Sequence, residues 1–369
     1  MVVPAPAPYR QPVYELVAAD PDIDLYVIFC SGREPDREWD VATGGFRQIV
    51  LKERILSFRG RFIHFNFDVW SPLRSFKPDV VVISGFNPTH LLSYAYARSS
   101  GASHIVMIDG TSQSDARITP IHRWVRRRVY AGTQACIGSS EGTLDLFRAY
   151  GFTPDKIFKS HLCANNASFF DAPAVEKKID FIFSGRMVAL KNPIFALQVA
   201  QGVARRLGRR VSITFTGSGE LEPRIRAAAA AADAEVEAFF PGFALQGELP
   251  GRYGAARIFL FPTQWEPWGV VANEACAAGV PVLISDVAGA ARDLVRNGEN
   301  GFVLPLIVDQ WVDAAVRILV DDAIYARMAL RCREIVGEYS YENAAKGIVE
   351  AVHAAVCANP QLSREIPAR

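Results

Sequence analysis

Short apolar runs alternate with stretches of helical periodicity along most of this chain. The runs are continuous in Val, Ile and Phe, a pattern typical of parallel strands that helices cover on both faces. They fall into two series, which predicts two Rossmann-like domains. The predicted strands are a short Met1–Val3, then Leu25–Cys30, Phe62–Phe67, Val80–Ser84, His104–Ile108 and Ala135–Gly138 in the first series, and Asp180–Ser184, Val211–Thr216, Glu237–Phe240, Ile258–Phe261, Pro281–Ser285 and Gly301–Leu304 in the second.

The segment Asn165–Lys178 separates the two series, and its paired asparagines, proline and charged residues are typical of a linker. We therefore predict an N-terminal domain over residues 1–168 and a C-terminal domain over residues 169–340. The remainder, 341–369, is predicted to be a helix over Tyr341–Cys357 followed by a polar tail.

The segment 261–289 (FPTQWEPWGVVANEACAAGVPVLISDVAG) carries the clearest candidate chemistry. Glu266 is predicted to lie on a loop because a proline and Gly269 follow it, whereas Glu274 falls inside a helix that begins near Val270. The exposed N–H groups of a helix N-terminus form a ready anion site. The segment thus pairs an anion cradle with two acids that can hold hydroxyl groups. The alternative is a surface loop that leads into an alanine-rich packing helix.

A second segment supplies positive charge. The strand Asp180–Ser184 is followed by Gly185 and Arg186, and Lys191 comes shortly afterwards. Open α/β sheets bind ligands at the carboxyl ends of their strands, and a guanidinium fork beside an ammonium group suits a diphosphate. The alternative is a solvated loop with ordinary surface cations.

Together these segments resemble the signature of the retaining family-4 glycosyltransferases, which have the GT-B fold. The resemblance implies an α/β architecture of two Rossmann-like domains, an interdomain cleft and a C-terminal crossover helix that packs back on the N-terminal domain. It also implies transfer of a sugar from a nucleotide-diphospho-sugar to a hydroxyl acceptor, without a metal or another cofactor. The expected acceptor is a glycan or a lipid-linked saccharide in polysaccharide or glycoconjugate biosynthesis.

The resemblance assigns roles to individual residues. Glu266 contacts the donor sugar and Glu274 the nucleotide ribose, while Arg186 and Lys191 neutralise the leaving diphosphate. The diphosphate is also held by backbone N–H groups, and further substrate contacts are expected nearby. The backbone groups belong to Gly269, Val270 and Val271, and the further contacts are Trp268, Gly217 near the nucleotide and Phe243 near the base. Gly217 can equally form a simple tight turn, and Phe243 can equally pack into the core.

The N-terminal half departs from the family pattern at two places. Pro and Tyr precede Arg10 where many members carry a Gly-Gly pair, so Arg10 either faces the cleft or merely begins a helix. Where many members carry a histidine at a strand exit, this chain has Asp109, and His104 lies at the strand entrance. Asp109 either takes over the contact with a sugar hydroxyl or caps the following turn.

A cluster of arginines interrupts an otherwise balanced chain, whose formal net charge is +1. Between Asp115 and Glu141 there are five arginines and no acid. Four of them, Arg123, Arg126, Arg127 and Arg128, lie on one predicted helix with apolar neighbours. A basic face beside an apolar edge suits an anionic membrane surface. The alternatives are a solvated basic face or nucleic-acid binding, and we predict no nucleic-acid partner.

Cysteine usage and hydropathy bear on the compartment. The six cysteines are scattered without a Cys-x-x-Cys pair, which predicts buried free thiols in a reducing environment. There is no apolar run of the length a spanning helix needs, and the first residues lack a signal-peptide pattern. We predict a cytoplasmic protein, or one peripheral to the inner face of the membrane. The Asp22-Ile23-Asp24 sequence precedes a strand, so we interpret it as a turn rather than a metal site.

Three alternative functions remain at this point. A nucleotide-sugar epimerase or a phosphorylase can share the fold, although no lysine for a pyridoxal cofactor stands out. A catalytically silent scaffold that binds a sugar nucleotide belongs to a different class. Turnover with a panel of donors separates the scaffold from an enzyme.

Overall fold

The computed structural model describes residues 1–33, 44–58, 61–173 and 175–362. The chain forms two compact units, of which the first combines Met1–Leu162 with the stretch from Tyr341 onward, and the second is Cys163–Ser340. The division after Leu162 lies before the boundary at residue 168 that the sequence suggested.

The first unit is built on a seven-stranded parallel sheet. The strands of this unit are β1 (Val2–Val3), β2 (Tyr26–Phe29), β3 (Arg47–Val50), β4 (Ile55–Phe58), β5 (Arg61–His64), β6 (Val80–Ile83), β7 (Ser103–Ile108), β8 (Ala135–Gly138) and β9 (Ile157–Lys159). The sheet order is β3-β2-β1-β6-β7-β8-β9. The chain therefore leaves the central β1 in one direction and resumes on its other side with β6, which creates a switch point between these two strands.

Helices cover this sheet, and the fully buried residues of β7 and β8 agree with coverage on both faces. The helices of the first unit are α1 (Gln11–Ala18), α2 (Trp70–Phe76), α3 (Pro88–Ser100), α4 (Ser112–Ala116), α5 (Pro120–Tyr130), α6 (Glu141–Ala149) and α14 (Tyr341–Cys357). The last helix packs on α1 and on β7, β8 and β9, as the predicted crossover helix requires. A Cβ atom on Gly347 would lie 1.8 Å from the Lys159 carbonyl oxygen, so only glycine at this position lets α14 lie this close to the end of β9.

The prediction that Phe62–Phe67 is a strand of the parallel sheet is wrong. Residues in this region form β5, which pairs with β4 in a separate antiparallel hairpin. The side chain of Leu56 in β4 is exposed, and β5 contacts α3. An apolar run in the sequence does not distinguish a strand of such a hairpin from a strand of the main sheet.

The second unit is built on a six-stranded parallel sheet in the order β12-β11-β10-β13-β14-β15. Its strands are β10 (Ile179–Ser184), β11 (Val211–Thr216), β12 (Val236–Gly242), β13 (Ala256–Phe261), β14 (Val282–Ser285) and β15 (Gly301–Leu304). Its helices are α7 (Asn166–Phe170), α8 (Pro193–Leu207), α9 (Glu222–Ala231), α10 (Leu249–Gly254), α11 (Val270–Ala277), α12 (Val308–Val320) and α13 (Asp322–Gly337). Here the switch point lies between β10 and β13, because β11 and β12 are added on one side and β13 to β15 on the other.

The fold prediction of two Rossmann-like α/β domains is confirmed. Each unit has its own apolar core, and in the second unit the side chains of Phe181, Phe215 and Trp311 are among the largest that are fully buried. Five of the six cysteines are buried and free, as predicted, but Cys357 is exposed. Cys357 is the last residue of α14.

Candidate functional site

Two loops meet at the switch point of the second unit. β10 and β13 are parallel neighbours, so the loops that follow them leave the same edge of the sheet. The backbone N–H of Gln264 donates to the Leu190 carbonyl over 2.8 Å, and the Thr263 hydroxyl donates to the same oxygen over 3.2 Å. These bonds fix the loop after β13 against the loop after β10, and so bring Glu266 close to Lys191.

Lys191 and Glu266 form an ion pair between their Nζ and Oε2 atoms. Their side chains are only 16% and 17% exposed, and the Lys191 ammonium also lies 5.8 Å from the centroid of the Phe261 ring. Lys191 ends a short 3-10 helix, and the next residue, Asn192, has a left-handed φ of 56° and is the N-cap of α8. The two predicted site residues are thus held together at the carboxyl ends of β10 and β13.

The N-terminus of α11 follows directly after this pair. Gly269 precedes the helix with a φ of 102°, and a Cβ atom there would lie 2.4 Å from the Phe261 ring, so the position requires glycine. No side chain caps this helix end. The first-turn N–H groups of Val270 and Val271 have no carbonyl partner within the helix, and they are therefore available to an anion.

The loop that carries Arg186 packs closely against the loop after β11. A Cβ atom on Gly217 would lie 2.1 Å from the Gly185 carbonyl oxygen, and both glycines have positive φ. The Met187 N–H donates to the Ser218 carbonyl over 2.7 Å. Arg186 is exposed at the turn between these contacts. Gly217 thus lets the two loops approach, whether or not it also touches a ligand.

Glu274 lies in the second turn of α11 and is almost completely buried. The Tyr253 hydroxyl donates to Glu274 Oε2 over 3.0 Å. Burial raises the pKa of the Glu274 carboxyl to about 7, although the bond from Tyr253 favours the ionised form and acts in the opposite direction. Sequence reasoning missed Tyr253, because a tyrosine in a short helix carries no signal of its partner.

Two aromatic residues behave differently from each other. The Trp268 side chain is fully buried, donates from Nε1 to Asn273 Oδ1 over 2.8 Å and packs against Tyr339. The indole therefore lies on the interior side of the loop and supports it, and a role of Trp268 in substrate binding stays a prediction. Phe243, by contrast, is 53% exposed just after β12, which contradicts the alternative that it packs into the core.

In the first unit, Arg10 and Asp109 lie together. Arg10 occupies the N-cap position of α1 and is buried, with Nη2 3.5 Å from Asp109 Oδ1. Its Nη1 donates to Ser160 Oγ over 3.1 Å. Ser160 follows β9, and nothing in the sequence pointed to it. The pairing leaves Asp109 partly exposed at the carboxyl end of β7.

The predicted basic helix is α5, but its arginines do not share one surface. Arg126 forms an ion pair with Asp115 at 2.6 Å, and its guanidinium lies over the Phe86 ring. Arg127 and Arg128 are exposed, as are two apolar neighbours on the helix. Those neighbours, Ile121 and Trp124, are 67% and 57% exposed. Within the described ranges, the helices are all too short or too polar to cross a membrane.

One cluster of potential metal ligands occurs in the described residues. Asp20, Asp22 and His353 bring one ligand atom each to within 4.8 Å of one another. Asp22 and His353 are exposed, and exposed groups of this kind commonly hold no ion. Asp24, the other acid of the Asp-x-Asp sequence, lies near Arg47 at 3.4 Å instead.

Comparison with known proteins agrees with this arrangement. Residues 165–335 match the sequence model described as "Glycosyl transferases group 1", and residues 10–158 match "Glycosyl transferase 4-like domain". The chain belongs to the group 1 glycosyltransferases of the family-4 type, and it has their GT-B fold.

Its relatives are distant. An uncharacterized glycosyltransferase of Methanocaldococcus jannaschii is 24% identical over 72% of this chain and 70% of its own length. A D-inositol 3-phosphate glycosyltransferase of Nocardia farcinica is 32% identical over 47% of this chain, but the match spans only 40% of that enzyme. Among solved structures, Anabaena HepE in complex with UDP has a TM-score of 0.72 at 13% identity and covers 96% of this chain and 99% of its own.

Proposed function

We propose that this protein is a retaining glycosyltransferase that takes a sugar from a nucleotide-diphospho-sugar and transfers it to a hydroxyl acceptor. The observation that carries this proposal is the Lys191–Glu266 pair beside the uncapped N-terminus of α11. The pair provides a cation for a phosphate and an acid for sugar hydroxyls, and the helix end supplies further N–H donors.

The chemical difficulty in such a transfer is charge separation. A positively charged sugar develops while a diphosphate departs, and preorganised charges in the site are usually the largest catalytic contribution. Arg186, Lys191 and the N–H groups of Val270 and Val271 would stabilise the leaving diphosphate. This set supplies the positive charge that a metal supplies elsewhere, so we propose a metal-independent reaction with no further cofactor.

Glu266 would bind hydroxyl groups of the donor sugar and orient its ring. It need not attack the sugar: in the proposed reaction the acceptor approaches the face from which the diphosphate leaves, and a phosphate oxygen receives the acceptor proton. One C–O bond to phosphate breaks and one C–O bond to the acceptor forms on the same face. The configuration at the anomeric carbon is therefore retained.

The nucleotide would extend from the diphosphate towards Glu274 and Phe243. We propose that Glu274 binds the ribose hydroxyls and that the exposed Phe243 lies against the base. UDP is the first nucleotide to test, because HepE has been solved with it.

We assign the acceptor to the first unit. Arg10 offers a guanidinium group at the start of α1, and Asp109 offers a carboxylate at the end of β7. Asp109 would accept a hydrogen bond from an acceptor or donor hydroxyl. A glycan or a lipid-linked saccharide in polysaccharide or glycoconjugate biosynthesis fits this role, and we propose a cytoplasmic location for the reaction.

A panel of UDP-, GDP-, ADP- and dTDP-sugars tests this proposal. We expect one nucleotide class to raise the melting temperature of the wild type, and Arg186→Ala and Glu274→Ala to lose that shift. With the matching donor, NMR of the glycosylated product should show the anomeric configuration of the donor. EDTA should leave the rate unchanged.

Other outcomes point to the alternatives. Binding without transfer to any of a broad range of acceptors would favour a catalytically silent scaffold. Conversion of the nucleotide-sugar into its epimer, with no acceptor, would favour an epimerase. An inverted product would overturn the retaining mechanism while leaving the glycosyltransferase activity intact.

We further propose that α5 brings the protein to an anionic membrane surface. Ile121 and Trp124 are exposed beside Arg127 and Arg128, and a cavity of about 810 Å³ next to the helix is lined by Arg127 and Lys156. The wild type should sediment with vesicles that contain phosphatidylglycerol. The double variant Trp124→Ala/Arg127→Gln should stay in the supernatant. Equal binding to purely zwitterionic vesicles would contradict the electrostatic part of this proposal.

A further inference from the structure

Tyr253 is a buried residue that connects two parts of the candidate site, the helix α11 and the end of β10. It lies in α10 and is fully buried, with its ring against Phe259 and Phe169. Its hydroxyl reaches Glu274 on α11, and it also has Ser184 as a hydrogen-bond partner, the last residue of β10. Ser184 directly precedes Gly185 and Arg186, so one phenol contacts both the ribose-binding acid and the strand that carries the Arg186 loop.

The hydroxyl has one proton and two acceptors within reach. Glu274 Oε2 lies at 3.0 Å and the Val271 carbonyl oxygen at 3.3 Å. A hydrogen bond to an ionised carboxylate is shorter and stronger than one to a neutral carbonyl. The proton therefore points to Glu274 when this acid is charged, and it is free to turn to Val271 when Glu274 is protonated.

We infer that Tyr253 is the positioning residue for Glu274: its hydroxyl fixes Oε2, presents Oε1 to the ribose hydroxyls, and makes nucleotide affinity depend on the protonation of this pair. The inference rests on the proposed function, because it takes Glu274 as the ribose ligand. Tyr253 itself touches no substrate, since its side chain is fully buried.

Tyr253 is the titratable group that faces Glu274 among the elements packed on α11 in the described part of the chain. α7 and β14 carry no titratable side chain. Cys332 of α13 interacts with Cys276, and Arg257 of β13 pairs with Asp322. The loops after β10 and β13 carry Arg186, Lys191 and Glu266, which the proposed function assigns to the diphosphate and the sugar. The loop after β14 is hydrogen-bonded to the loop after β13, and its first charged residues are Asp286, Arg292 and Asp293.

The direction of the pH effect follows from these contacts. In the protein without nucleotide, the pKa of Glu274 is raised to about 7 by burial. Ribose hydroxyls donate to the carboxylate and favour its ionised form, so nucleotide binding is accompanied by loss of a proton. Affinity should rise about tenfold per pH unit up to the pKa of the free protein and level off above it.

The experiment measures the dissociation constant of UDP by calorimetry between pH 6.5 and 9, in wild type, Tyr253→Phe, Glu274→Gln and the double variant. If GDP or ADP gives the larger thermal shift, that nucleotide replaces UDP. Tyr253→Phe removes a bond that favours ionised Glu274, so the pH at which affinity levels off should move upward by about one unit. Glu274→Gln should abolish this dependence, and Tyr253→Phe should then add no further shift.

A purely structural role for Tyr253 predicts something else. Affinity would fall by the same factor at every pH, the levelling-off point would stay in place, and the Glu274→Gln background would not suppress the effect; this result would overturn the inference. If Tyr253→Phe does not fold, Ser184→Ala keeps the phenol and removes the neighbouring hydroxyl. It should move the levelling-off point in the same direction by a smaller amount, and an unmoved point would overturn the inference equally.

A ribose control separates this inference from the proposed function. A 2′,3′-dideoxy analogue of the nucleotide should bind wild type at least tenfold more weakly and without the pH dependence. If the analogue binds as well as its parent, the assignment of Glu274 to ribose is wrong. If the analogue binds weakly but Tyr253→Phe leaves the levelling-off point unmoved, only the inference about Tyr253 fails.

Discussion

At the scale of single residues, Lys191 and Glu266 are bonded to each other, so a bound donor would have to compete with this ion pair for both side chains. A diphosphate would draw the ammonium group towards itself, while sugar hydroxyls would take up the carboxylate lone pairs. Because both side chains are largely shielded from water, their attraction is stronger than that of a surface pair. The pair thus keeps two reactive charges in place without leaving either one buried and uncompensated.

Replacing Lys191 tests this arrangement. Lys191→Met should lower kcat/KM at least about 100-fold, since a preorganised charge on the leaving group is lost. It should also lower the free energy of unfolding by about 1–3 kcal/mol, because Glu266 then lacks its partner. Steady-state kinetics and urea unfolding measure the two effects.

Lys178→Met is the matched control, because Lys178 pairs with Glu176 at an exposed position of the same unit. Both the activity and the stability of this variant should stay near wild type. Activity of Lys191→Met within threefold of wild type would refute a role for Lys191 in the transfer.

The residues of the site differ in how far the sequence could predict them. Glu266, Glu274 and Lys191 stand at positions where spacing and local turn chemistry restrict the geometry, and the structure places them on the expected loop and helix. Trp268 lies between the two acids in sequence, yet its indole turns to Asn273 and the interior. Tyr253 is distant in sequence from Glu274, so only the packing of α10 on α11 brings the two together.

At the scale of elements, the loops after β10 and β11 form a single packed layer. Gly217 and Gly219 each approach the backbone of the neighbouring loop more closely than any side chain allows. This contact fixes the path of the chain on both sides of Arg186. The position of that guanidinium is therefore set by backbone packing.

Gly217→Ala should disturb this layer. Its Cβ atom would lie 2.1 Å from the Gly185 oxygen, at a φ of 124°. We expect a loss of about 1–3 kcal/mol in the free energy of unfolding and weaker nucleotide binding, as the Arg186 loop is displaced. Urea unfolding and calorimetry measure these changes.

Gly251→Ala provides the control. Gly251 lies in α10 with open space around the added methyl group, so this variant should be neutral or more stable by up to about 1 kcal/mol. If Gly217→Ala were equally stable, the two loops would have to be less closely packed than described.

The edge strands of the first sheet were the hardest strands to predict. β3 and β9 occupy the two edges of the first sheet, and neither is a continuous apolar run, since one reads Arg-Gln-Ile-Val and the other Ile-Phe-Lys. The central strands β7 and β8 were predicted to within one residue. Burial on both faces favours apolar residues along a central strand, as in Ile105–Ile108 of β7, whereas an edge strand is free of that constraint.

At the scale of the whole molecule, buried histidines make stability depend on pH. Desolvation lowers the pKa of His90 and of His104 to about 3, both within the first unit. In the unfolded chain these histidines bind protons below about pH 6.5, whereas in the folded protein they stay neutral until about pH 3. Their stabilising contribution is therefore complete above pH 6.5 and is lost as the pH falls towards 3.

Below pH 6.5 the free energy of unfolding should fall by about 1.4 kcal/mol per pH unit for each of these histidines, and the melting temperature should fall with it. Glu274 acts in the opposite sense between its unfolded pKa and about 7, because its raised pKa makes the folded state the stronger proton acceptor. His104→Gln should reduce the acid slope by one proton, and the exposed His122→Gln should not. An unchanged slope in His104→Gln would contradict the prediction.

The return of α14 to the first unit has a consequence for synthesis on the ribosome. Translation completes the second unit as one uninterrupted stretch, so that unit can fold as soon as it emerges. The first unit must wait for a helix encoded after Ser340, and the intervening stretch takes on the order of 10–30 s to translate. During that interval the surfaces of β7, β8 and β9 that α14 later covers are open to solvent. Most of the first unit is thus made before the second unit, yet it is completed after it, and its uncovered sheet is a surface that a chaperone could protect in the meantime.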